Sequence, residues 1–231
     1  MDLTRFEALT FDCYGTLIDW ERGILAALRE LLGEGVVGRG HEALLESFGR
    51  LEAEAERGAF RPYRSVLAEV ARGLGADSGV EVTQERADAF ASSVGAWPPF
   101  DDTVASLGAL SRRYRLAIVS NVDDDLFART AELLEVPFDT VVTAQQVRSY
   151  KPAPAHFHEA MRRLDLPRER VLHVAQSLYH DVAPAGVLGI ASVWVNRRAG
   201  RAGGGATPQA TAVPDLEVPD LASLVRAAGL D

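Results

Sequence analysis

The chain has 231 residues, a formal net charge of −9, and a composition that is 47% hydrophobic and 25% charged. That length suffices for a buried core in one or two domains, and the acidic balance argues against nonspecific attachment to nucleic acid or to anionic membrane. A single cysteine, Cys13, excludes an internal disulfide and reads as a small buried hydrophobe. The first residues, Met1-Asp2-Leu3-Thr4-Arg5, lack a signal-peptide pattern, and no apolar run reaches transmembrane length, so a cytoplasmic location is expected.

Residues 6–11 form an apolar run that predicts a buried strand, ending at Asp12 and followed by a turn with Gly15. The period then becomes helical. Residues 20–32, 41–56, 63–74 and 83–94 each predict a helix, the third stopped by Gly75 and the fourth capped by Thr83. No strand is expected between them. Trp97-Pro98-Pro99-Phe100 marks the return from this helical run.

Beyond it, helices are expected at 101–112, 123–134, 154–164, 181–188 and 220–228. Strands are expected at 115–120, 139–143, 171–175 and 191–195. Alternating strands and helices predict an α/β fold with a doubly wound parallel sheet. The expected division is a core of residues 1–18 and 98–231, with a helical insertion at 19–97 able to overhang the mouth of the sheet. The arginines at 197, 198 and 201 lie among glycines and read as a solvated loop.

A charge at the end of a buried strand is costly without partners, and in an open α/β sheet the carboxyl ends of strands gather the chemistry. Asp12 is therefore the first candidate for a reacting group. Ser120-Asn121 end the second expected strand, Lys151-Pro152 follow the third, and Gln176-Ser177-Leu178-Tyr179-His180-Asp181 follow the fourth. Parallel strands present these ends on one edge. His156 and His158 lie two apart on a helix, on different faces, and do not read as a metal pair. Asp123-Asp124-Asp125 suits a helix start.

In that order, these motifs resemble the haloacid dehalogenase superfamily across essentially the whole chain. Asp12-Cys13-Tyr14-Gly15-Thr16-Leu17 matches its first motif, Ser120 the second, Lys151 the third and Asp181 the last acid of the fourth. The resemblance implies a Rossmann-like core with a helical cap inserted after the first strand. Phosphatases of the superfamily carry an aspartate two residues after the nucleophile and another early in the fourth motif; here these positions are Tyr14 and Gln176. Magnesium prefers hard anionic oxygens, so no metal and no cofactor are expected. The tyrosine-containing first motif resembles metal-free 2-haloacid dehalogenases.

The resemblance implies that Asp12 displaces halide from a small 2-haloacid to give an aspartyl ester. Lys151 supplies positive charge, and Asp181 orients or deprotonates the hydrolytic water. Ser120 holds the substrate carboxylate, Thr16 bonds the nucleophile or the water, and Asn121 faces the departing halide. Tyr14 and Ser177 complete the expected substrate cradle. The family's cap arginine falls on Ser47 by gapless comparison, leaving Arg50, Arg61 and Arg64 as candidates to meet the substrate anion. A superfamily phosphatase and a catalytically weak binding protein are the alternatives. The expected partner is a small anionic substrate, with a homodimer as the assembly known among related dehalogenases.

Overall fold

The computed structural model describes residues 1–36, 38–201 and 203–230. Strand β1 (Ala8–Phe11) is buried along its whole length, which accounts for its unbroken apolar pattern: a parallel strand covered on both faces has no solvent side. After it come α1 (Trp20–Leu32), α2 (His41–Ala55), α3 (Tyr63–Asp77) and α4 (Gln84–Ser93), before the chain returns as α5 (Thr103–Leu110) and β2 (Arg115–Ser120). The remainder alternates: α6 (Asp124–Leu134), β3 (Thr140–Thr143), α7 (Ala144–Val147), α8 (Ala155–Leu164), β4 (Val171–Ala175), a π-helical turn Leu178–Val182, α9 (Ala183–Leu188), β5 (Ala191–Val195), β6 (Leu216–Val218) and α10 (Leu221–Ala227).

The strands form one six-stranded sheet in the order β3-β2-β1-β4-β5-β6, with every pair parallel. Phe11 at the end of β1 lies beside Ile118 of β2 and Val174 of β4. The strand order reverses between β1 and β4. That switch point opens a crevice at the carboxyl edge, where open α/β sheets bind ligands, and Asp12 sits at it.

Three local expectations change. Helix α3 continues through Gly75 to Asp77, because Gly75 is needed for close packing: a Cβ there would lie 2.4 Å from Val82 Cγ2. The helix expected at 181–188 starts three residues earlier, as the π-helical turn. Strand β6 went unforeseen. It has three residues at the sheet edge, between Pro214 and Pro219, too short for a periodic signal.

The four-helix insertion is tied to the sheet domain by specific contacts. Asp123, at the N-cap of α6, bonds no amide of its own helix; its carboxylate accepts the Tyr63 and Arg64 backbone N–H groups at 2.8 and 2.9 Å and so caps α3. The Trp97 ring lies against Gly23 of α1 so closely that a Cβ there would sit 2.2 Å from Trp97 Cγ. Of the three arginines expected in a solvated loop after β5, Arg201 is exposed, whereas the other two are not. Arg197 is nearly buried and bonds Asp102, while Arg198 bridges Glu21 of α1 and Glu42 of α2.

Candidate active site

The residue after β1 starts a tight turn. Gly15 has φ +91°, a conformation open to glycine at little cost, and Asp12 N–H donates to Val174 O of β4 at 3.1 Å. Thr16 is thereby returned toward Asp12. Its hydroxyl donates to Asp12 Oδ2 at 2.6 Å and accepts the Gln176 backbone N–H at 2.9 Å. The Arg197 guanidinium donates twice to Thr16 O, at 2.9 and 3.2 Å, and stacks on the Phe100 ring. Sequence reasoning missed this support, since only the fold brings residue 197 to residue 16.

Lys151 comes from the segment after β3 and α7. Its backbone N–H donates to Asn121 Oδ1 at 2.7 Å and its carbonyl accepts from Asn121 Nδ2 at 3.2 Å. Its ammonium donates to Asp12 Oδ1 at 2.9 Å, Val119 O at 2.9 Å and Asp181 Oδ1 at 2.6 Å. An ammonium has three N–H groups, and all three are occupied. His173, in the middle of β4, joins Asp181 Oδ1 through Nε2 at 3.0 Å and the Thr10 hydroxyl through Nδ1 at 2.9 Å. Facing a carboxylate, Nε2 is assigned as the donor, so Nδ1 accepts from Thr10.

The charges are mutually dependent. Burial pushes the Asp12 carboxyl above the usual carboxylate range; Lys151 and Thr16 oppose that rise and Asp181 adds to it. Burial also opposes ionisation of Asp181, but Lys151 and His173 outweigh it and hold that carboxyl below the usual range. Burial likewise works against the Lys151 charge, yet its two carboxylates raise it to about 12. The centre thus carries one cation against two carboxylates.

Asp12, Tyr14, Ser120, Asn121 and Lys151 line a small cavity of about 40 Å³, roofed by Trp20, Glu52, Glu56 and Tyr63 from the insertion, with His180 at its side. Ser120 Oγ is buried and, among the described residues, has no hydrogen-bond partner. Asp181 Oδ2 is likewise buried and unpartnered; Asp181 is off the cavity wall and joined to Asp12 through Lys151. Tyr14 donates to Thr130 Oγ1, whose own hydrogen goes to Leu126 O, so its hydroxyl is engaged and its ring faces the cavity.

Two expectations are corrected. Ser177 does not line the cavity: its hydroxyl caps the π-helical turn by accepting the His180 N–H at 2.9 Å and lies 3.2 Å from His180 Nδ1. Nor do the three arginines. Arg50 pairs with Asp77, Arg61 with Glu69 and the Ala55 carbonyl, and Arg64 with Asp125 and Ser92. Each has a partner on an outer face that the one-dimensional pattern conceals. Arg50 borders a different, wider groove of about 330 Å³ between α2 and residues 204–209, which contains no counterpart of Asp12. Glu52 and Glu56, which sequence reasoning passed over as part of an amphipathic helix, take the roof instead.

The residues present do not fit the magnesium site of the superfamily's phosphatases. Both Asp12 oxygens are engaged, by Lys151 and Thr16. At the position of the second carboxylate stands Gln176, a neutral amide whose Oε1 accepts the Thr207 hydroxyl at 3.2 Å. Among the described residues no group of three or more His, Cys, Asp or Glu side chains is arranged to hold a metal ion.

A parallel α/β sheet with an aspartate at its switch point, a lysine clamping that aspartate and a helical insertion above it defines a class of hydrolase. The family model for haloacid dehalogenase-like hydrolases matches residues 6–189, and the chain belongs to that family. Haloacetate dehalogenase H-2 of Moraxella sp. (strain B) is 24% identical over 229 residues, covering 96% of this chain and 98% of the other. The (S)-2-haloacid dehalogenase of Pseudomonas sp. (strain YL) is 28% identical over 234 residues, with 95% and 93% covered. A glyceraldehyde 3-phosphate phosphatase of Methanothermobacter thermautotrophicus is 33% identical over 101 residues, 42% of this chain and 45% of the other. The solved L-2-haloacid dehalogenase of Xanthobacter autotrophicus with covalently bound chloropropionic acid superposes with a TM-score of 0.81 at 21% identity, covering 97% of this chain and 98% of that one. That likeness speaks to the fold.

Proposed function

We propose that the protein hydrolyses the carbon–halogen bond of a small 2-haloacid through an ester on Asp12, without a metal. The observation that carries this reading is the Asp12 carboxyl itself: positioned by Lys151 and Thr16, open to a cavity, and accompanied by Tyr14 and Gln176 where the superfamily's phosphatases carry aspartates. In the first step an Asp12 oxygen bonds to the substrate carbon as the carbon–halogen bond breaks, and halide leaves with the electron pair. In the second step water attacks the ester carbonyl carbon, the bond from that carbon to the substrate-bearing oxygen breaks, and the 2-hydroxy acid departs. The proton from water passes to solvent through the cavity, and Asp181, off the cavity wall, acts through Lys151 by holding its ammonium against Asp12. The sum is a haloacid plus water giving a hydroxy acid, a proton and a halide.

Ser120 Oγ and the second N–H of the Asn121 amide are the free donors for the substrate carboxylate and the halide. The helical insertion acts as the cap. A cavity of about 40 Å³ suits a small acid, being far below the roughly 300 Å³ of a pocket for a drug-sized ligand. Halide release from 2-chloropropionate tests the reading. Release that is insensitive to EDTA and absent in Asp12→Asn supports it. Magnesium-dependent phosphate release from small phosphate esters, without halide release, would favour a phosphatase instead.

A further inference from the structure

The cavity roof is acidic where an anionic substrate calls for positive charge. Glu52 is 6% exposed, and its carboxylate accepts a single hydrogen bond, from the Tyr63 hydroxyl. Glu56, one helical turn on, lines the same cavity, and among the described residues its carboxyl has no ion-pair or hydrogen-bond partner. Neither is neutralised by an arginine, because Arg50, Arg61 and Arg64 are paired elsewhere. The floor offers no spare cation, since the Lys151 ammonium is already divided between Asp12, Asp181 and Val119 O. A plain haloacid brings one more negative charge and no group that could sit between the two roof carboxyls.

Three further features belong to the same cavity. Trp20, Tyr63 and Tyr14 line it, and aromatic rings attract cations. Ser120 Oγ, buried and unpartnered, is a polar group left for a ligand. Burial, reinforced by Glu52 and partly opposed by Lys151 in the case of Glu56, raises both roof carboxyls, Glu52 to about 7 and Glu56 well above its usual value; an adjacent cation relieves that cost.

Resting on the dehalogenase reading, we propose that the substrate is an amino-substituted 2-haloacid, whose distal ammonium sits between Glu52 and Glu56 against the aromatic rings while its carboxylate meets Ser120. The substrate is then a zwitterion. Its carboxylate end faces the hydroxyl of the core and its ammonium end the acids of the cap.

Two stable product analogues that differ only in the ammonium test this by calorimetry: 4-amino-2-hydroxybutanoate and 2-hydroxybutanoate. The amino compound is expected to bind at least tenfold tighter to the wild type, and Glu52→Gln/Glu56→Gln is expected to erase the preference. Glu56→Gln alone, at a half-buried position, should reduce it several-fold and serves if the double variant does not fold. Equal or tighter binding of 2-hydroxybutanoate, or a preference that survives in these variants, overturns the proposal. Halide release from 4-amino-2-chlorobutanoate and 2-chlorobutanoate separates this idea from the reading beneath it. Release from neither, with the binding preference intact, removes the dehalogenase reading and leaves the ammonium site. Preferred release from 2-chlorobutanoate, with no binding preference, does the reverse.

Discussion

Lys151 is the residue on which the charge balance of the site turns. Among the described residues it is the only cation in contact with two carboxylates that are both buried, and removing one partner of such a group leaves uncompensated charge in a medium that solvates it poorly. Lys151→Met should therefore lower stability by about 3–5 kcal/mol in denaturant titrations and abolish turnover. Asp12 must be ionised to act as a nucleophile, and its carboxyl is pushed above the usual range by burial. The acid limb of kcat/KM should accordingly fall with an apparent pKa above that of a free aspartate.

Glu52 affects the folding equilibrium in a definable direction. Its carboxyl is raised by burial from 4.5 to about 7, so the unfolded chain loses its proton first as pH rises. The stability present below about pH 4.5 is lost as pH climbs to about 7, with a magnitude of roughly 3 kcal/mol for a shift of that size. Glu56 lies nearby and is raised in the same sense. Thermal or urea unfolding across that window should show the loss in the wild type, and Glu52→Gln should flatten it.

At the level of elements, the four-helix insertion is held by a few long-range contacts between polar groups. Asp123 reaches from the start of α6 to the first turn of α3. Asp123→Ala should cost about 1–2 kcal/mol in unfolding experiments, the upper part of the range for a lost cap, and should increase hydrogen exchange at the Tyr63 and Arg64 amides. Arg197 holds the carbonyl of Thr16, which in turn holds Asp12. Arg197→Ala should lower kcat more than it raises KM, since it loosens the nucleophile rather than the substrate; an unchanged kcat would make Arg197 merely structural.

These same contacts mark where the sequence ceased to be legible. Helices α1, α2 and α4, strands β2, β4 and β5, and the succession of Asp12, Ser120, Lys151 and Asp181 could be read along the chain, because each rests on local periodicity or on the end of a buried strand. Asp123 looked like part of a helix start, and Arg197 and Arg198 like a solvated loop, because their partners lie 59 or more residues away. The candidate arginines were chosen for their nearness to the position of the family's arginine, and their acidic partners lie 8, 27 and 61 residues away along the chain. Glu52 and Glu56 fit the polar side of a helix on paper, whereas the fold turns that side onto the active-site cavity.

Across the whole molecule, one acid at the sheet's switch point organises everything else: the turn at Gly15, the lysine from beyond β3, the histidine within β4 and the roof from the cap. Among the described residues no helix is long and apolar enough to cross a membrane. The central claim is that Asp12, not water, makes the first bond to the substrate. A single turnover in oxygen-18 water, with enzyme in excess over 2-chloropropionate or its amino-substituted counterpart, tests it most directly. The account predicts unlabelled hydroxy acid and one heavy oxygen in the peptide containing Asp12. Heavy oxygen in the first product, with that peptide unlabelled, would contradict it.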